Sequence, residues 1–380
     1  WHILGNDNSD LLWAWSDVYE LHISASEGKN KGVYYTPREE IQFMIHRTLY
    51  YLLAKEFDSQ SLGSLGSTLY SLLKSSNKTD MQRPLKIDQA LYSKYLDIIL
   101  NSSIIDISCG SGRFLTKYLD YLLSFELIPQ INTDIKPINL FQRLFGIDIL
   151  PSAVDLAKQL LLLTCILRFP DIKFREIQEI MAVLNNNIVC SDSLTIESVK
   201  SLQIKNNNSK FDMIIGNPPY LKTDLLNQKE KLINLIKSEF KGIEISIPKT
   251  SDYYIYFFYF SFFYAKPSGI ICLLTSNSWL DVKYGYPFQR FLLQNSRILE
   301  IIENDSLRSF KAEINTVISI LSPIASSLSQ IKFETSLRKT NRGERKSTAD
   351  LPQQQIRFIL LKKNFDYYIE NYKINGQSNW

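Results

Sequence analysis

Between residues 104 and 274 short apolar runs alternate with helix-like segments, and no other feature of the chain restricts its fold as tightly. Ile104 to Ile107 is followed by a helical pattern from about Arg113, and Leu144 to Ile149 by another from about Ser152. Ile188 to Cys190, Phe211 to Ile215 and Ile270 to Leu274 continue the series. Runs this short, bounded by Gly, Asp and Pro, read as buried strands, and their alternation with helices predicts an α/β fold with a mainly parallel sheet. In such a sheet ligands bind at the carboxyl ends of the strands. The residues at those ends are therefore the candidates for chemistry.

The first strand runs into Asp106-Ile107-Ser108-Cys109-Gly110-Ser111-Gly112, and a helix then begins around Phe114 and Leu115. Gly110 and Gly112 let the backbone turn sharply beneath a ligand. Leu115 stands where a G-x-G-x-x-G fingerprint has its third glycine, which disfavours a dinucleotide. Taken alone, the loop is also compatible with an ordinary strand-to-helix turn. The second strand ends at Asp148, whose carboxylate can accept both ribose hydroxyls of a nucleoside; by itself it equally suits a helix-capping or solvated acid. Asp192, after the third strand, has the same two readings and can accept a hydrogen bond from a cofactor amine.

The fourth strand leads into Gly216-Asn217-Pro218-Pro219-Tyr220. Two prolines fix φ and hold the Asn217 side chain, the Pro218 carbonyl and the Tyr220 ring in one arrangement. An amine conjugated to an aromatic ring is a poor nucleophile because its lone pair is delocalised. Two acceptors, Asn217 Oδ1 and the Pro218 carbonyl, can bind its two hydrogens and favour a pyramidal nitrogen whose lone pair faces a methyl donor. Tyr220 can stack on the target ring. The bland reading is a proline-stiffened turn, and it weakens once the Cys109–Gly112 loop and the acids at 148 and 192 precede it in the same sheet.

Upstream, Gly32-Val33-Tyr34-Tyr35-Thr36-Pro37 precedes apolar residues at Ile41, Met44, Ile45, Leu49 and Leu52. Thr36 is expected to cap this helix, with Pro37 in its first turn and Glu39 completing a capping box. A weak helix is expected between Ser59 and Ser76. At 380 residues and 45% hydrophobic, the chain can bury one large α/β domain with an appendage. Its net charge of +4 is compatible with a polyanionic partner without requiring one. Cys109, Cys165, Cys190 and Cys272 form no CxxC pair, and His2, His22 and His46 lie far apart. Disulfide framework, zinc site, metalloprotease and serine hydrolase are thus all unsupported, and no metal is expected. The apolar runs at Leu160–Leu167 and Tyr253–Tyr264 fall short of the roughly 20 residues that cross a bilayer.

Together these motifs resemble those of the amino-methylating DNA methyltransferases of restriction-modification systems, adenine-N6 specific and of the γ arrangement, in which cofactor motifs precede target recognition. The resemblance runs from about Gly32 to Leu321. G-V-Y-Y-T-P is similar to the family's upstream cofactor motif, D-I-S-C-G-S-G-R-F-L to its first, G-I-D-I to its second, Asp192 to its third and N-P-P-Y to its catalytic motif. Ser251-Asp252-Tyr253-Tyr254 and the segment from Lys266 to Trp279 follow the family's order. The resemblance implies a Rossmann-like S-adenosylmethionine-dependent methyltransferase fold with an N-terminal helical extension, and S-adenosylhomocysteine as product. It implies that Tyr35, Thr36, Asp106, Ser108, Cys109, Gly110, Gly112, Asp148, Ile149, Asp192 and Asn217 line the S-adenosylmethionine pocket. It further implies that Asn217, Pro218, Pro219 and Tyr220 are catalytic and that Tyr220 and Phe310 pack against a flipped adenine.

The chain departs from the family's pattern at Ile107, where proline is usual, and at Leu150, where an acid often follows the second-motif carboxylate. The wide spacing of Asp106 and Asp148 implies an insertion near Leu127 to Asn139. The expected organisation is an N-terminal segment at 1–31, a catalytic domain at 32–330, and a linker or the start of a target-recognition region at 331–380, which is locally basic around Arg338, Lys339, Arg342, Arg345 and Lys346. Lys222 to Thr250 is expected to form a loop over the nucleic acid. The chain begins at Trp1, as a trimmed chain or a fragment would. The resemblance implies double-stranded DNA as partner, a fused or separate endonuclease and target-recognition domain, and a prokaryotic cytoplasm. Two alternatives stay open: a methyltransferase acting on RNA or a protein glutamine, whose planar amide nitrogen needs the same two acceptors, and a non-catalytic module of a restriction complex.

Overall fold

The computed structural model of the chain describes residues 14, 16–18, 36–57, 89–124, 136–220, 229–248, 250–304, 315–324 and 356–362. At its centre lies an eight-stranded sheet of order β3-β2-β1-β4-β5-β7-β6-β8. Strands β1 (Ile104–Asp106), β2 (Leu144–Asp148), β3 (Ile188–Cys190), β4 (Phe211–Gly216) and β5 (Ala265–Ser276) run parallel. Strand β7 (Thr316–Pro323) enters antiparallel between β5 and β6 (Ser296–Asn304), and β8 (Arg357–Leu361) lies parallel to β6 at the edge. The mainly parallel sheet expected from the sequence is therefore present.

Side chains alternate between two helical layers, as the two-residue period of a strand demands. Ile104, Leu144, Ile270, Cys272 and Leu274 face one core. It is covered by helices α1 (Arg38–Leu53), α2 (Gln89–Asn101), α3 (Arg113–Ser124), α4 (Pro137–Phe141), α5 (Pro151–Arg168) and α6 (Phe174–Asn187). Ile105, Phe145, Ile271 and Leu273 face the other, under α7 (Ile196–Lys205), α8 (Lys229–Glu239), α9 (Tyr254–Tyr264), α10 (Ser278–Asp281) and α11 (Gly285–Asn295). Burial on both faces explains why the strands read as continuous apolar runs instead of alternating ones. Helix α9, Y-I-Y-F-F-Y-F-S-F-F-Y, is buried at every position, as a helix apolar all round must be. No helix among the described residues is long and apolar enough to cross a membrane.

Departures from the expected elements have local causes. The cap of α1 is Pro37, with no side-chain cap bond, because the Thr36 hydroxyl is engaged by Asn217 instead; the expected capping box does not form. Strand β5 starts at Ala265, earlier than Ile270, through an irregular pairing in which Phe211 faces Ala265 and Met213 faces Ile270. Strand β8 lies past residue 330, in the stretch expected as a linker or recognition region, and it extends the central sheet through Arg357 opposite Glu300 and Leu361 opposite Asn304. The span 222–250, expected as a loop, contains α8, whose Leu232 and Ile236 enter the second core. The Ser59–Ser76 helix and most of the expected insertion lie outside the described residues, although α4 belongs to its end.

One buried ion pair ties α1 to β6. Arg47 of α1 donates from Nε to Glu300 Oε2 at 2.9 Å and from Nη2 to Oε1. Glu300 is fully buried, and Arg357 of β8 approaches it at 3.9 Å. The Arg47 guanidinium also stacks near the Tyr50 and Tyr51 rings.

Candidate active site

The register of the parallel strands sets Asp106, Gly146, Ile188 and Gly216 in neighbouring rows, so the carboxyl ends of β1 to β5 open on one edge. Every described residue singled out at the strand ends lies along it. Beyond β1 the backbone rises through Ser108 and Cys109 and turns at Gly110 and Gly112, which adopt φ of +51° and +80°. These left-handed conformations favour glycine. A Cβ at Gly112 would stand 2.8 Å from Ala157 Cβ, so α5 packs directly against the turn; a Cβ at Gly110 would meet nothing within 4 Å. Space at Gly110 and close packing at Gly112 are what a loop beneath a ligand provides.

Two carboxylates, buried Asp106 and partly buried Asp148, hold this loop. Asp148 Oδ2 accepts from the Gly110 N–H at 2.8 Å, and its Oδ1 accepts from Leu150 N–H at 2.9 Å. Burial raises the Asp148 carboxyl above the ordinary range, against the pull of its backbone donors. Asp106 Oδ1 accepts from Ser108 N–H at 3.0 Å, and burial pushes its carboxyl up to about 8, with the neighbouring charge of Asp148 adding to the shift. A Cβ on Gly216 would fall 2.6 Å from Asp106 Oδ1, so the chain entering Asn217 passes directly over this carboxylate. Both acids are held by backbone N–H donors, and two acids so close together, one of them fully buried, suit a cationic ligand.

The remaining cofactor candidates are distributed around the loop. Cys109 is buried, its N–H donating to Ile147 O at 3.0 Å, and burial raises its thiol well above the usual value. Ile149 is 68% exposed directly after Asp148, an apolar side chain left open at the edge. Asp192 Oδ1 accepts from Leu194 N–H at 2.9 Å in a local turn. Burial raises the phenols of Tyr253 and Tyr264, and the nearby Asp192 charge adds to both shifts. Tyr35 and Phe310 lie outside the described residues. Among the described residues, no group of three or more His, Cys, Asp or Glu is placed to hold a metal ion.

At the end of β4, Asn217 donates from Nδ2 to Thr36 Oγ1 at 2.9 Å. This bond joins the segment ahead of α1 to the proline-braced turn and commits the amide nitrogen, so the Asn217 group presented as an acceptor is Oδ1, which is buried. Pro218 is buried; Pro219 and Tyr220 are partly exposed. The Tyr220 ring meets Tyr254 edge-on, with centroids 6.2 Å apart and planes at 85°.

Two further sets of contacts at this edge have no signal in the sequence. Ser16 and Ser111 share a hydrogen bond of 2.8 Å, and Arg113 Nη1 donates to Asp17 Oδ1 at 2.5 Å, so a short N-terminal helical stretch rests on the glycine turn. Arg113 opens α3, where a cation is disfavoured by the helix dipole, and Asp17 offsets that cost. No local pattern signals a contact across such a separation. The second set joins Asp252, Tyr254 and Tyr284. Asp252 and Tyr254 fall within a segment that follows the family's order, but their pairing with Tyr284 carries no sequence signature.

Residues 142–310 match the model of the family described as Eco57I restriction-modification methylase. The chain is 26% identical over 239 residues to the type II restriction enzyme and methyltransferase RM.Eco57I of Escherichia coli, a match covering 56% of this chain and 24% of that protein. It is 31% identical over 105 residues to the type II methyltransferase M.BanIII of Aneurinibacillus aneurinilyticus, covering 27% of this chain and 17% of that one. The chain thus spans a quarter or less of the length of these relatives. Among solved structures, it superposes on the ATP-dependent type ISP restriction-modification enzyme LlaBIII bound to DNA with a TM-score of 0.59 and 16% identity, over 99% of this chain and 24% of that one. A DrdV–DNA complex gives 0.57 and 16%, over 98% and 32%. The resemblance to restriction-modification methyltransferases read from the motifs holds, and the fold is the Rossmann-like methyltransferase fold.

Proposed function

We propose that this chain transfers a methyl group from S-adenosylmethionine to the exocyclic N6 of an adenine flipped out of double-stranded DNA, as the modification activity of a restriction-modification system. The observation that carries the reading is the Asn217–Thr36 bond, which fixes the amide with Oδ1 as the acceptor at the edge shared with the glycine loop. The DNA complexes of LlaBIII and DrdV, which share the fold, and the type II methyltransferase relatives support the substrate class.

When bound, S-adenosylmethionine supplies an electrophilic methyl on a sulfonium centre. The residues present fit it: buried Asp106 and partly buried Asp148 favour a cation, the space at Gly110 admits a ligand, and exposed Ile149 offers an apolar contact. Asp148 retains acceptor capacity for ribose hydroxyls beyond its backbone bonds, and Asp192 is the proposed acceptor for an amine. Asn217 Oδ1 and the Pro218 carbonyl accept the two amine hydrogens of the base and direct its lone pair toward the methyl group. Tyr220 stacks on the extruded ring, since a base inside the duplex is out of reach. Double-stranded DNA is the proposed partner, with an endonuclease and a target-recognition domain, fused or separate, completing the system.

The direct test supplies methyl-labelled cofactor together with separate pools of DNA, RNA and protein. Label in DNA, recovered as N6-methyladenine after digestion to nucleosides, is expected. Label confined to RNA or to protein glutamine would replace this reading with one in which a planar amide or an RNA base uses the same two acceptors.

A further inference from the structure

We propose that Asp252, Tyr284 and Tyr254 form a positioning chain that sets the orientation of the Tyr220 ring for methyl transfer, an inference that rests on the proposed methyltransferase reading. The topology brings these residues together from different elements. Helix α9 ends where β5 begins, at Ala265 opposite Phe211, so its first residue, Tyr254, lies at the strand-end edge together with Tyr220. Asp252 precedes α9, and Tyr284 follows α10 beyond the carboxyl end of β5, at the same edge.

The hydrogen bonds have a defined direction. Tyr284 donates its hydroxyl proton to Asp252 Oδ2 at 2.5 Å. A carboxylate only accepts, so the Tyr284 oxygen is left to accept, and Tyr254 donates to it across 3.1 Å. Burial is the main cause that raises both phenols, which stay protonated through the physiological range. Tyr254 is fully buried; its hydroxyl is fixed by this chain and its ring by packing in the second core. Against that ring stands Tyr220, perpendicular to it. A stacking platform works only when its plane is held, and an edge-on neighbour with a locked hydroxyl holds it. Tyr254, Tyr284 and Asp252 thus act through Tyr220 and touch neither cofactor nor base in this scheme.

The experiment uses the whole chain with 3-fluorotyrosine introduced at position 220 and compares the wild type with Tyr284→Phe, Asp252→Ala and Asp252→Asn. Each is checked for an unchanged melting transition, then read by fluorine NMR, by cofactor Kd and by single-turnover methylation of DNA. Tyr284→Phe and Asp252→Ala are expected to shift or broaden the residue-220 fluorine line and to slow transfer about 10-fold, with cofactor Kd within about 2-fold of the wild type. Asp252→Asn, which keeps an acceptor for Tyr284, is expected to restore most of both signals. A fluorine line and a rate untouched by Tyr284→Phe would overturn the proposal, as would a rate loss explained wholly by weaker cofactor binding. If wild-type label enters no DNA, the proposed function fails by itself, and the fluorine line still decides whether the chain sets the Tyr220 ring.

Discussion

Asn217 donates through Nδ2 to the Thr36 hydroxyl, 2.9 Å away and 181 positions earlier in the chain. The bond decides which end of the amide is offered to a substrate, because a nitrogen already committed to a hydroxyl leaves the carbonyl oxygen as the accepting group. It also links the motif before α1 to the turn after β4, so the two motifs act as one unit.

Thr36→Val should therefore lower the rate of transfer about 10- to 100-fold with little change in cofactor affinity, since the methyl that replaces the hydroxyl accepts nothing and the amide can rotate. Asn217→Ala should abolish transfer while cofactor binding largely survives. Parallel measurement of single-turnover rates and cofactor Kd checks both; full activity in Asn217→Ala would place activation of the amine elsewhere.

Gly110→Ala and Gly112→Ala should separate ligand space from packing. Both positions have positive φ, which costs an L side chain about 1 kcal/mol. The Gly112 Cβ additionally collides with Ala157 at 2.8 Å, so that variant should lose on the order of 2–4 kcal/mol of stability by denaturant titration. Gly110→Ala should lose no more than the backbone cost in stability but should lose cofactor affinity, because its Cβ enters the open side of the loop.

The Asp106 carboxyl, pushed up to about 8 by burial, makes stability depend on pH in a direction opposite to that of a salt-bridged acid. The folded state binds the proton more tightly than the unfolded chain does. The stability this contributes is present below the ordinary aspartate value near 3.8 and is lost as pH rises through about 8. Asp106→Asn keeps an acceptor for Ser108 N–H and removes the ionisation, so the ligand-free variant should be more stable than the wild type above about pH 8, by on the order of 1–3 kcal/mol. Cofactor affinity should fall in the same variant. Melting temperatures measured from about pH 5 to about pH 9 that run parallel for the two proteins would refute the assignment.

Arg47→Met should cost about 3 kcal/mol, because among the described residues it leaves fully buried Glu300 with the more distant Arg357 as its cation. Replacing both partners, Arg47→Met with Glu300→Leu, should recover most of that loss. Chemical denaturation of these two variants and of Glu300→Leu alone provides the comparison, and additive losses would show that the pair itself contributes little.

Much of this architecture can be read from the chain. The strand tips carrying Asp106, Asp148 and Gly216 are legible because buried parallel strands leave uninterrupted apolar runs ending in turn residues. The capping role expected of Thr36 fails for a tertiary reason: a local pattern points to the nearest helix, whereas the hydroxyl is taken by Asn217. Strand β8 is hard to read because Phe358 and Leu360 are exposed and the run is short, so nothing in its pattern marks it as part of the sheet. Tyr284 and the Ser16–Asp17 stretch are equally hidden, since each acts on a residue far away in sequence.

Because β1 pairs with β4, and β5 with β7 instead of β6, the sheet closes through partners that are not consecutive in order of synthesis. During translation β5 emerges with one long apolar edge awaiting a strand that arrives only after β6 has been made. Such nonlocal closure predicts slow, highly cooperative folding and an interval of vulnerability to edge-to-edge association, which the late arrival of Thr316–Pro323 brings to an end.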